Sequence, residues 1–126
     1  MEFPDDLKYT EGHMWARVEG SAVTLGVTAY ASEEMGEIVY VQLPDEGEQA
    51  EAGEPFGSIE STKAIEDLMS PVGGKVAKVN SEVVDAPETI NRDPYGEGWL
   101  LVVEAGDVSP VEGLLSAEDY QKQVEA

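Results

Sequence analysis

The sequence predicts a mainly β fold, made of two similar strand units and closed by a helical tail. Three observations predict it. Runs of β-branched and aromatic residues, separated by Gly, Pro, Asn and Asp, fill the first hundred positions. A Gly followed by alternating apolar residues recurs, at Gly36 to Val41 and again at Gly74 to Val79. Helical signals gather in the tail, at about 111–124.

The elements follow in order. Trp15 to Glu19 and Ala22 to Val27 flank Gly20-Ser21 and read as a hairpin. Ala29 to Met35 reads as a short helix, stopped by Gly36. Ile38 to Leu43 is a strand broken by Pro44. Glu54 to Glu60 and Ala64 to Met69 read as two strands around the tight turn Ser61-Thr62-Lys63, a hairpin over about 54–69. Lys75 to Asn80 is another strand. Glu82 to Ile90 stays ambiguous, because Pro87 limits any helix there. Asp93 to Gly98 is a loop leading into a buried strand, Trp99 to Glu104. Val111 to Leu115 and Ser116 to Val124 read as helix, with Ser116 as N-cap and Asp119 as the acid of a capping box. A second match, Glu54 to Gly57 with Asp93 to Gly96, extends the repeat into two tandem β-units.

Length and charge bound the function. The 126 residues, 41% of them apolar, suit one domain over 1–126 with one core. Seven basic and 27 acidic residues give a net charge of −20. Such a chain offers no electrostatic footprint for nucleic acid or anionic lipid, and a monomer is expected. The acidity reads as a solvated surface or as adaptation to high salt, which screens self-repulsion. There is no cysteine, so a thiol nucleophile, an iron–sulfur cluster and a thiolate zinc site are excluded. His13, the single histidine, cannot build a multi-histidine metal site. The N-terminus is acidic and lacks an apolar stretch, and no run is long enough to span a bilayer. A cytoplasmic location is expected, or an organelle matrix if a targeting peptide has been removed.

Enzyme motifs fail in turn. Gly73-Gly74-Lys75 is followed by Val76, where a phosphate loop needs Ser or Thr. Gly96 and Gly98 are followed by Leu101, where a dinucleotide fingerprint needs a third Gly. Asn91-x-Asp93 opens like a calcium loop, but Tyr95 and Val102 occupy ligand positions. Lys63 is the one odd feature. A lysine at a turn ordinarily only solubilises. A hairpin tip also projects its side chain clear of the sheet, which suits a carrier arm.

Phe56-Gly-Ser-Ile-Glu-Ser-Thr-Lys63-Ala, then Asp67-Leu68 and Ser70-Pro71-Val72-x-Gly74-x-Val76, resembles the lipoylation segment of the glycine cleavage system H protein family. Tyr9-Thr10-x-x-His13-x-Trp15 resembles its N-terminal motif. Leu25 to Thr28, Gly36 to Pro44, Asn91 to Leu100 and Leu114 to Tyr120 extend the likeness over nearly the whole chain. The resemblance implies a lipoyl/biotinyl-type barrel-sandwich hybrid of two small antiparallel sheets, with short helices and a C-terminal helix. It implies lipoic acid in amide linkage to Lys63, with Glu60, Ser61, Thr62, Ala64 and Asp67 as the turn that the attaching enzyme reads. It implies a carrier and not an enzyme. The partners would be the glycine decarboxylase (P protein), the aminomethyltransferase (T protein), the dihydrolipoyl dehydrogenase (L protein) and a lipoate ligase or lipoyl transferase.

The resemblance also implies an arm cleft near His13, Met14 and Glu66. Met14 stands where the family usually has Glu; Ala29, Ile65, Glu66 and Met69 also depart from its pattern. Met14 reads as drift, compensated by Glu66 or another acid. Alternatively it marks an H-protein-like lipoate carrier for another pathway, sulfur oxidation or lipoyl relay. A third reading is a binding domain that kept the fold without lipoyl. A biotin carrier is disfavoured, because Thr62 and Ala64 flank the lysine where such domains typically have Met.

Overall fold

The structure is a computed structural model and describes residues 2–125. Its strands are β1 (Lys8–Tyr9), β2 (Met14–Glu19), β3 (Ala22–Val27), β4 (Ile38–Gln42), β5 (Gln49–Ala50), β6 (Pro55–Ser61), β7 (Ile65–Met69), β8 (Gly74–Val79) and β9 (Leu101–Ala105). Its helices are α1 (Ala29–Met35), α2 (Ser81–Asp85), α3 (Glu88–Arg92), α4 (Ser109–Glu112) and α5 (Ala117–Glu125). The strands form two antiparallel sheets. One has six strands in the order β1-β2-β3-β9-β8-β5, and the other has three in the order β4-β6-β7.

The main core lies where the sheets face each other. Ile38, Val41, Ile59 and Leu68 come from the small sheet; Val23, Leu25, Val76, Leu101 and Val103 come from the large one, and all are buried. Period-two alternation selects them in β3 and β9, and irregularities in register reset it in β4, where Ile38 and Val41 are three apart, and in β8. The two Gly-led repeats form β4 and β8, one in each sheet. The second match does not hold as strand structure. Pro55 opens β6, but Asp93 to Gly96 remain a loop before β9. There the Pro94 carbonyl accepts a hydrogen bond from Trp15 Nε1 (2.9 Å), so the loop serves as a clamp on β2.

Two readings are revised. The ambiguous stretch is two one-turn helices. Asn80 caps α2 by accepting from the Glu82 amide (3.2 Å), and Pro87, already helical in backbone, starts α3. In the tail, helix α4 begins at Ser109, and Leu115 is not helical. Its amide and carbonyl pair with Tyr9 at 2.9 Å as an isolated bridge. Ser116 does cap α5, accepting from the Asp119 amide (3.1 Å). The reciprocal carboxylate bond of a full capping box is absent among the described residues.

That bridge seats a second core. Tyr9, Trp15, Ala117 and Tyr120 are buried together, with the Tyr9 and Tyr120 rings stacked at 4.8 Å. Trp15 lies opposite Gly26 in the β2–β3 register, and a Cβ on Gly26 would come within about 2.6 Å of the indole. Gly26→Ala is therefore expected to cost about 1–3 kcal/mol and to lower Tm by several degrees. An unchanged Tm would mean that the indole does not close over β3.

Burial pushes both stacked phenols up, Tyr120 to about 12 and Tyr9 further. Unfolded phenols ionise near 10, so the unfolded chain releases these protons first as pH rises. The stability they contribute is whole below pH 10 and is lost as pH climbs through the folded values. Thermal melts should show Tm falling between about pH 10 and 12, with a smaller fall in Tyr120→Phe.

Candidate functional site

The β6–β7 hairpin pairs Glu60 with Ile65, Ile59 with Glu66 and Ser58 with Asp67. Its tip is Ser61 to Ala64. The Ser61 hydroxyl accepts from the Lys63 amide (3.2 Å) and the Ala64 amide (3.1 Å). The Ser61 amide donates to the Ala64 carbonyl (2.8 Å), and the Thr62 amide donates to the Glu37 carbonyl (3.1 Å). The tip backbone is thus tied at each of these residues, a side-chain-closed turn of the kind Ser favours. Lys63 itself is exposed. The ion pairs among the described residues are Arg92–Glu97 and Lys122–Glu118, so neither engages Lys63.

The lysine stem runs beside Gly36, whose added Cβ would lie 3.6 Å from Lys63 Cε. Gly36 has φ +80° and ψ −153°, a conformation nearly closed to other residues. Asn91 fixes this junction. Its Oδ1 accepts from the Ile38 amide (2.9 Å), and its Nδ2 donates to the Gly36 carbonyl (2.9 Å) and the Ser32 hydroxyl (3.0 Å).

A cavity of about 230 Å³ opens beside the hairpin. Val27, Met35, Ile59 and Leu68 form its apolar floor; His13, Met14, Tyr30, Glu34, Glu66 and Asp67 are on its walls. The structure therefore brings His13, Met14 and Glu66 together. Glu66 and Asp67 follow Lys63 by three and four residues, which is roughly 10–13 Å along an extended strand. A lysyl-lipoyl arm reaches roughly 14 Å, so it spans that distance.

The turn residues do not form one surface. Ser61 is buried and engaged in the turn, Thr62 is exposed at the tip, and Ala64 is half-buried. Glu60 shares its row with the exposed Tyr40 and Ile65, on the opposite face of the sheet from Ile59. Asp67 lines the cavity.

His13 sits in the left-handed region at φ +70°. A tight turn holds it there: its amide donates to the Thr10 carbonyl (3.1 Å), and the Met14 amide donates to the Thr10 hydroxyl (3.0 Å). His13 Nδ1 lies 2.9 Å from Tyr120 Oη, and the imidazole packs on Tyr30 with centroids 5.0 Å apart. Burial lowers its pKa, while Glu34 and Glu66 pull the other way. Tyr30 and Glu34 were not singled out in the sequence, and Asn91 was not singled out for this role. Tyr30 and Glu34 are four residues apart on one helical face, a signal that shows a shared direction but not what it faces. Among the described residues, no group of three or more His, Asp or Glu is placed to hold a metal. No described helix is long and apolar enough to cross a membrane.

Comparison with known proteins agrees with this geometry. The family model described as "Glycine cleavage H-protein" matches residues 7–126. The chain is 52% identical over 124 residues to the glycine cleavage system H protein of Rubrobacter xylanophilus, covering 98% of this chain and 96% of that one. It is 50% identical over 125 residues to that of Anaeromyxobacter sp., covering 99% and 98%. The crystal structure of a glycine cleavage system H protein from Mycobacterium marinum superposes with a TM-score of 0.89 at 41% identity, over 98% of this chain and 99% of that one.

Ser61→Ala should loosen the tip without unfolding the sheet. Two amides lose their acceptor, at a cost of about 1–2 kcal/mol. Amide hydrogen exchange at Lys63 and Ala64 is expected to speed up while Ile59 and Leu68 stay protected. Equal exchange in both proteins would show that the hydroxyl does not hold the turn.

Proposed function

Because this chain belongs to the glycine cleavage H-protein family, we propose that Lys63 is its lipoyl attachment site and that the neighbouring cavity receives the end of the arm. The family assignment makes the protein a lipoyl carrier of the glycine cleavage system, a carrier subunit and not a catalyst, working with the P, T and L proteins. The finer reading rests on one observation: an exposed lysine, free of those ion pairs, at the tip of a hairpin whose backbone is tied down. An amine so placed is available for acylation. The support behind it is fixed, so the arm swings from a defined point.

Bound there, lipoic acid supplies a dithiolane on a long tether, which carries the amine-bearing one-carbon fragment of glycine between partners. The chain's own residues do the rest. Acylation removes the Lys63 charge, which lets the stem lie against the apolar floor of Val27, Met35, Ile59 and Leu68. The carboxylates of Glu66 and Glu34 suit a cationic amine, through charge-assisted hydrogen bonds. They also bear on Met14. The cavity has anionic partners without a Glu at that position, which supports drift over a carrier for sulfur oxidation or lipoyl relay. The lipoate ligase or lipoyl transferase reads Thr62, Ala64 and Glu60 around the exposed tip. Residues 1–126 act as one carrier domain, monomeric and cytoplasmic, in keeping with the strong net negative charge.

Intact mass tests this. Lys63→Arg should fold with an unchanged Tm and gain no lipoyl mass, since a guanidinium cannot accept the amide. The lipoylated wild type should gain the aminomethyl mass on incubation with glycine and its decarboxylase. Lipoylation of the Arg variant would show the site is misassigned. Lipoylation without loading, where a reference H protein loads, would overturn the cavity's proposed role.

A further inference from the structure

Three groups meet behind the cavity wall. Tyr120 Oη, from α5, lies 2.9 Å from His13 Nδ1 and 2.7 Å from Thr28 Oγ1. Thr28 is the N-cap of α1, and its Oγ1 also accepts from the Ala31 amide (3.1 Å). Thr28 and Tyr120 are completely buried. The protons can therefore be counted. Each hydroxyl has one. The Ala31 amide donates into Thr28 Oγ1, so the Thr28 proton has one neighbour to go to, Tyr120 Oη. The Tyr120 proton is then directed to His13 Nδ1, which must be a bare acceptor. The reverse order starts from a protonated Nδ1 and ends with a buried Thr28 proton that has no acceptor. An imidazolium forces that reverse order, because it carries a proton on both ring nitrogens.

We propose that Tyr120 and Thr28 are positioning residues, whose hydroxyls form a one-way relay that holds His13 as the neutral imidazole protonated on Nε2. The relay keeps positive charge out of the cavity wall. Glu34 on α1 and Glu66 on β7 face the same space together with the Tyr30 phenol, while Asp67, also at the cavity edge, belongs to the opposite-facing row of β7. The cavity lining contains no Lys or Arg. A cationic amine entering there meets carboxylates and one N–H donor, with no competing cation. This consequence rests on the cavity's proposed role with the arm; the relay itself does not. The direction of the His13 shift agrees, since burial and a committed Nδ1 both favour the neutral ring.

His13 is the single histidine, so its ring nitrogens are assigned without ambiguity. The test is a long-range ¹H–¹⁵N spectrum of the unlipoylated chain, taken across a pH titration. The wild type at neutral pH should show a bare Nδ1 and a protonated Nε2. Tyr120→Phe keeps the ring stack on Tyr9 and removes only the hydroxyl. Its His13 midpoint should rise by about one pH unit, a tenfold easier protonation, with the tautomers mixed. Thr28→Val leaves Nδ1 as the one acceptor for the Tyr120 proton, so its midpoint should stay near the wild type, as should that of Thr28→Ser. Tyr120→Phe carries the test if loss of the cap unfolds Thr28→Val. A protonated Nδ1 in the wild type, or an identical midpoint in Tyr120→Phe, would overturn the relay. Lys63→Arg should leave the His13 spectrum unchanged. Failure to load glycine with the relay intact would count against the cavity's role alone.

Discussion

The small sheet cannot stand by itself, and the rest of the structure follows from how that is met. Three short strands are marginal in water unless one face is covered. Here Ile38, Val41, Ile59 and Leu68 are driven against the six-stranded sheet and are at most 2% exposed. Each contributes about 1.5–3 kcal/mol by leaving water. Two of the four belong to the hairpin that ends in Lys63, so the same burial that holds the fold together fixes the base of the lysine. Register does the remainder. With Ile59 and Leu68 pointing inward, Glu66 must point inward too, two residues beyond the last covered position. The hairpin outruns its cover there, and the uncovered inner face is the cavity.

The tail completes that cavity from behind. The Tyr9–Leu115 bridge anchors the tail to the sheet edge, and α5 then stacks Tyr120 on Tyr9. The stack delivers a phenol to His13, which the Thr10 turn has already forced into a left-handed backbone. Thr28 meets the same hydroxyl while capping α1, the helix that presents Tyr30 and Glu34. Helix, turn and tail share one buried oxygen. A change in any of the three is felt at the cavity wall.

Local chemistry made much of this legible in the sequence. Gly36 announced the end of α1 because few other residues adopt its backbone angles. Gly20-Ser21 announced the first hairpin, and Ser61-Thr62-Lys63 the second, since small polar residues close turns. What was missed depends on partners distant in the chain. Leu115 sits in a short apolar run that looks helical, and only Tyr9, far away, draws it into a bridge. Asn91 stood only at the head of a failed calcium pattern and of the late matching segment, and its role emerges only once Ile38, Gly36 and Ser32 surround it. Asp93 to Gly96 was legible as a loop, but its clamp on the distant Trp15 was not. The cofactor was never legible from composition or periodicity. It came from the motif around Lys63, and the geometry of the tip then gave that motif a physical sense.

Charge ties the body of the molecule to its task. Few cations balance the 27 acidic residues, and Lys63 stands among Glu60, Glu66 and Asp67. Acylating it deletes a positive charge from a surface already short of them. On the proposed attachment at Lys63, an arm would leave an acidic neighbourhood that a cationic cargo is drawn back to. The same field reaches outward. Like charges keep copies of such a chain apart, and a field of this kind acts on encounter rates more than on the tightness of a final complex. A shuttle benefits from that division, because it must arrive quickly and must also leave. Salt weakens this field within a Debye length of about 8–10 Å at moderate ionic strength, and the exposed carboxylates of Glu34, Glu66 and Asp67 are screened along with it. Attraction at a distance and attraction at the cavity therefore answer to salt in the same direction, because both arise from exposed acidic residues.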